Sequence, residues 1–110
     1  MIISHGIDIC RIDRKEFNNQ KLIARFLHPK ELETFNQIND KFLLQQFLAS
    51  RWAIKEALFK ALNHPIPFNK ILIYYQNNHP MIDLINYQQV SVTLSYEDNL
   101  VIASVILVKH

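Results

Sequence analysis

Apolar and polar positions change their period along this chain. Met1–Ile9 concentrates the β-branched residues Ile2, Ile3, Ile7 and Ile9, which predicts a short strand, with Gly6 permitting a bulge or a close backbone approach. Asp13 followed by Glu16 predicts the capped start of a short helix carrying Arg14, Lys15 and Phe17. Pro29 suits a first helical position, with His28 as its cap and Glu31 in the electropositive first turn. From Asp40 to Leu62 the apolar side chains Phe42, Leu44, Phe47, Leu48, Trp52, Ile54 and Leu58 leave little of a helical circumference polar. That predicts a long helix that is central or lies at a subunit contact. Pro65 and Pro67 end it, because proline cannot continue the hydrogen-bond ladder.

Beyond the prolines the pattern becomes strand-like: Ile71–Tyr75, then Met81–Ile85 after the turn Asn77-Asn78-His79-Pro80. Val90, Val92 and Leu94 alternate with Ser91, Thr93 and Ser95, as in a half-exposed strand. Leu100–Val108 is nearly all apolar and predicts a buried strand, joined to its predecessor by the turn Glu97-Asp98-Asn99. One strand, a helical block with one long central helix, then antiparallel strands make an α+β fold. Residues 1–110 are expected to form a single domain.

Composition excludes several classes. Gly6 is the single glycine, which argues against a glycine-rich phosphate loop. Cys10 is the single cysteine, so an internal disulfide and a cysteine-based zinc site are both excluded, and a buried thiol is expected. His5, His28, His64, His79 and His110 lack zinc-site spacing and are expected to be ordinary surface or turn residues. No apolar run approaches a membrane span and Met1–Cys10 does not resemble a signal peptide, so a cytoplasmic protein without a membrane partner is expected. The net charge is +2, divided as +3 over residues 1–30 and −1 over the remainder. A basic N-terminal third can steer an acidic partner, but no basic run or aromatic signature points to nucleic acid.

The chemistry concentrates in Arg51-Trp52-Ala53-Ile54-Lys55-Glu56-Ala57-Leu58-Phe59-Lys60. Glu56 and Lys60 lie about 40° apart around a helix axis, on one face. A carboxylate can hold a divalent cation and an ammonium can neutralise a phosphate. The same spacing also describes an ordinary surface ion pair.

Gly6-Ile7-Asp8-Ile9 with Arg11 and Arg14 after it, and Arg51–Ala57 followed by Lys60-Ala61, resemble in order and separation the short holo-acyl-carrier-protein synthases of the 4′-phosphopantetheinyl transferase family. Arg25-Phe26-Leu27 and Pro29-Lys30-Glu31-Leu32 are similar to the family's intervening segment, and Ser95 before a last apolar strand is similar to its end. The resemblance implies transfer of the 4′-phosphopantetheine arm of coenzyme A to a serine of apo acyl-carrier protein, with release of adenosine 3′,5′-bisphosphate. It implies Asp8 and Glu56 as ligands of Mg2+ or Mn2+ and Asp8, Glu56 and Lys60 as the catalytic set. Arg51, Lys60 and Ser95 are implied at coenzyme A, and Arg11, Arg14 and Arg25 at the acidic carrier protein. A homotrimer with active sites between protomers is implied as well. The group that deprotonates the serine stays open between Asp8, Glu56 through a metal-bound water, and another residue. Tyr96 stands where many members have histidine, and Asn63 where a glycine is common. Those departures frame the alternative, a non-catalytic carrier-protein or nucleotide-binding module of the same fold.

Overall fold

A computed structural model of the chain describes residues 1–109, so His110 lies outside the described residues. Strand β1 (Ile2–Arg11) leads through a 3-10 turn, Lys15–Asn18, into helices α1 (Gln20–Phe26), α2 (Pro29–Phe35) and α3 (Lys41–Ala61). A second 3-10 turn, Phe68–Lys70, precedes β2 (Ile73–Gln76), β3 (His79–Ile82), β4 (Gln89–Glu97) and β5 (Leu100–Lys109). Strands β1, β5 and β4 form one antiparallel sheet in that order, and β2 with β3 forms a hairpin. The expected α+β architecture is the one observed.

Local chemistry explains most boundaries. Asp40 accepts the amide of Leu43 and starts α3, while Leu62 ends it before the prolines. The His28 ring accepts the Lys30 amide, and the Glu31 carboxylate accepts the His28 amide, closing a reciprocal cap at α2. Asn77, Asn78 and Asp98 adopt positive φ in the two hairpin turns, where Asn and Asp tolerate the left-handed region best.

Asp13 does not start a helix. The turn Lys15–Asn18 has no side-chain cap, and the Glu16 carboxylate is taken by Arg14 Nε at 2.9 Å. Helix α1 begins instead behind Asn19, whose side chain accepts the amides of Lys21 and Leu22. The β1 isoleucines form the expected strand but do not build the core. Gly6 and Cys10 are buried, whereas Ile3, Ile7 and Ile9 are exposed on the opposite face. A strand's period of two allows no other outcome once Gly6 faces inward. β5 is likewise buried on one face only, leaving Ile102 and Ile106 exposed.

Helix α3 packs across β1 and β5, and its residues Ala49, Ala53, Ile54, Ala57 and Leu58 are fully buried. Trp52 joins the small helices to it, with ring contacts of 5.2 Å to Phe26 and 5.8 Å to Phe68. At the centre lies a charge. The Lys55 side chain is 0% exposed, and its Nζ donates to the Phe26 carbonyl (2.6 Å), the Phe68 carbonyl (2.9 Å) and Glu31 Oε1 (2.5 Å). Glu31 in turn accepts the amides of His28 and Ile73. Burial pulls the Lys55 ammonium below its ordinary value, and the Glu31 carboxylate opposes that shift.

Replacing Lys55→Met should cost about 3–5 kcal/mol in urea unfolding, because it strands a buried carboxylate. The double variant Lys55→Met/Glu31→Leu should remain clearly destabilised, since four backbone groups lose their partners. A double variant as stable as wild type would contradict this account.

Candidate active site

The site follows from a single close approach. A Cβ on Gly6 would lie 1.8 Å from the Ala57 carbonyl oxygen and 3.0 Å from the Ala61 amide, so only glycine lets β1 press this tightly on α3. Two residues later, Asp8 lies on the same face of the strand. One turn beyond Glu56, Lys60 reaches across from the helix. Its Nζ donates to the Ile7 carbonyl at 2.8 Å and to Asp8 Oδ1 at 3.2 Å. Asp8 is sheltered, with a side chain 15% exposed, while that of Lys60 is 51% exposed.

Glu56 is half-buried beside them. Burial raises its carboxyl above the ordinary value, the Asp8 charge pushes in the same direction, and Lys60 and Arg14 oppose it. The structure therefore gathers Asp8, Glu56 and Lys60, and the ammonium bonds Asp8 rather than Glu56 one turn away. The donor set fits a divalent cation: two hard oxygen ligands whose mutual repulsion such an ion relieves. Among the described residues no cluster of three or more His, Cys, Asp and Glu side chains forms.

Arg51 lies elsewhere. Nine residues before Lys60, it falls about 180° away around α3. Its guanidinium stacks 3.9 Å from the centre of the Phe47 ring and 4.9 Å from that of Tyr75, and donates to Ser50 Oγ at 3.2 Å. Its Nε is buried without a partner among the described residues, and burial lowers its pKa. These groups and Tyr96 line a concavity of about 340 Å3. Burial raises the Tyr96 phenol, keeping it a neutral donor. Ser95 is exposed and pairs with Ile102 across β4 and β5.

The three arginines expected at a carrier protein occupy different settings. Arg11 is exposed at the end of β1, and Arg25 is exposed in the last turn of α1. Arg14 lies 5.3 Å above the Trp52 ring and is paired with Glu16. No signal in the local pattern pointed to Tyr75 beside Arg51. For Lys55 there was one: a lysine in the most apolar part of a helix needs a buried acid.

The sequence and the fold have known counterparts. A family model described as the 4′-phosphopantetheinyl transferase superfamily matches residues 4–104, and the chain belongs to that family. A holo-[acyl-carrier-protein] synthase of Mycoplasma capricolum is 41% identical over 88% of this chain and 86% of its own. The crystal structure of Helicobacter pylori holo-[acyl-carrier-protein] synthase in complex with coenzyme A is 32% identical with a TM-score of 0.75, covering 94% of this chain and 98% of that one. A Bacillus anthracis holo-(acyl-carrier-protein) synthase in complex with CoA (3′,5′-ADP) superposes with a TM-score of 0.83 at 25% identity, over 97% and 96% of the two chains.

The raised Glu56 carboxyl has a measurable sign. A carboxyl raised in the folded state adds stability below its unfolded value, near 4.5, and loses it as pH rises through the folded value. In metal-free buffer Glu56→Gln should therefore melt higher than wild type at neutral pH. The two melting curves should converge once the pH falls below 4.5. A variant less stable than wild type at neutral pH would show that the Glu56 charge is not under stress.

Proposed function

We propose that this protein transfers the 4′-phosphopantetheine arm of coenzyme A to a serine of apo acyl-carrier protein and releases adenosine 3′,5′-bisphosphate, using Mg2+ held by Asp8 and Glu56. The contact of Lys60 with Asp8, one helical turn from Glu56, carries this reading. The serine oxygen bonds to the phosphorus bearing the pantetheine arm as the bond to the bridging oxygen of the leaving phosphate breaks, and the serine proton passes to a base. Breaking a diphosphate depends on neutralising phosphoryl charge, and the metal supplies part of that when bound. Lys60 supplies another part, its ammonium offsetting charge on the departing bisphosphate. We assign Arg51, whose Nε has no partner among the described residues, and the exposed Ser95 to the nucleotide. Arg11, Arg14 and Arg25 are assigned to the acidic face of the carrier protein, where their charge mainly accelerates encounter. We assign residues 1–110 to one domain acting in the cytoplasm. Among the described residues no helix is long and apolar enough to cross a membrane.

Lys60 and Arg51 point to opposite sides of α3, so one protomer does not present both to one coenzyme A. A homotrimer that sets the Arg51 side of one copy against the Lys60 side of the next resolves this. The outer face of the three-stranded sheet supports assembly. Ile7 and Ile9 are 54% and 58% exposed, and Ile9 sits opposite the exposed Ile102. Contiguous exposed apolar surface of this kind marks an interaction face.

Intact-mass analysis of apo acyl-carrier protein incubated with this protein, coenzyme A and Mg2+ should show a gain of one phosphopantetheine, abolished by EDTA. Glu56→Gln should slow it at least ~100-fold. Coenzyme A binding without any mass gain on several carrier proteins would favour the non-catalytic module instead.

In sedimentation velocity the wild type should run as a trimer. Ile7→Glu should shift it to monomer with an unchanged circular dichroism spectrum, because Ile7 leaves the monomer core untouched. A monomeric wild type that turns over normally would remove the assembly from the mechanism.

A further inference from the structure

We infer that the Lys60 ammonium is a resident counter-ion: it holds the place on Asp8 that a divalent cation takes, and coenzyme A frees that place by drawing Lys60 onto its phosphates. The inference rests on the proposal that Asp8 and Glu56 bind the cation, and adds to it an order of events built into the protein.

Lys60 does not hang free over the site. Two acceptors fix its Nζ, the Ile7 carbonyl at 2.8 Å and Asp8 Oδ1 at 3.2 Å, and both belong to β1, the edge strand of its sheet. Glu56 makes no hydrogen bond to that ammonium, and the charges of Lys60 and Arg14 only partly offset the burial and the Asp8 charge that disfavour its ionised form. A single ammonium thus serves a pair of carboxylates whose charge it only partly offsets. A divalent cation arriving on Asp8 meets that ammonium at short range, where like charges repel. Nothing locks Lys60 in place, however. Its side chain is 51% exposed, and its flexible four-carbon stem lets the charge move while the helix stays still.

A phosphate group entering beside Asp8 changes the balance. It offers Lys60 a more highly charged acceptor and leaves Asp8 open. Cation and coenzyme A therefore favour each other through the displaced lysine, in addition to any direct contact between them, and by linkage the effect is reciprocal. The protein avoids holding two carboxylates unpaired before substrate arrives, and holds back tight capture of metal in the absence of substrate.

The test is Mn2+ binding, followed by electron paramagnetic resonance on the intact protein without coenzyme A. Lys60→Met keeps a good helix former at an exposed position, and Lys60→Arg keeps the charge. Lys60→Met should bind Mn2+ roughly three- to ten-fold more tightly than wild type, as expected for removing one partly screened like charge. Lys60→Arg should bind it as weakly as wild type. Equal or weaker binding by Lys60→Met would overturn the inference while leaving the cation site in place. Asp8→Asn separates the underlying reading: if Mn2+ binding survives that change undiminished, Asp8 is not a ligand and the cation-site proposal fails with it.

Discussion

The Lys55 ammonium and the Glu31 carboxylate form the contact on which the rest of the chain depends. Between them they satisfy two carbonyls and two amides drawn from four segments: the end of α1, the start of α2, the turn before β2, and β2 itself. None of those segments is long. α1 and α2 have seven residues each and β2 has four, too few to be stable alone. A buried ion pair is a poor source of net stability, because desolvation consumes much of the Coulombic gain. Its value here is directional, since an ammonium with three donors and a carboxylate with two oxygens define where each short segment docks on α3.

The geometry of the candidate site grows from the same helix by a different route. Gly6 lets the β1 backbone meet the Ala57–Ala61 stripe, and the period of the strand then brings Asp8 to Lys60 and to the neighbourhood of Glu56. Lys55 and Glu56 are adjacent in sequence yet do opposite work. One points into the protein and is fully committed, while the other points toward the strand and carries a charge under stress. About 100° of helical rotation separates a structural anchor from a candidate metal ligand.

Two further surfaces gain meaning from this arrangement. The sheet that presents Asp8 inward exposes isoleucines outward, and the helix that presents Lys60 on one side carries Arg51, stacked on Phe47 and Tyr75, on the other. Exposed isoleucines on one face and two cationic groups on opposite sides of one helix are the features on which the proposed assembly rests. Tyr96 lines the concavity around Arg51 as a neutral hydroxyl donor beside a permanently charged guanidinium.

The long helix, the His28 start of α2, the asparagine turn and the strand-rich end were all legible in the sequence, because each depends on neighbours within a few residues. The motif Arg51–Lys60 also showed which residues share a helix face, and Asp8, Glu56 and Lys60 do meet. What local pattern could not decide was partner choice. Asp13 looked like a cap, but Glu16 was already taken by Arg14; Glu31 is the first-turn acid expected, yet it is also the mate of a lysine 24 residues away. Lys60 chose Asp8, at a separation of 52 residues, over Glu56 one turn away. Helix periodicity sets the direction in which a side chain points, whereas the packing of β1 onto α3 sets what it meets, and only the second selects among charged groups of similar reach.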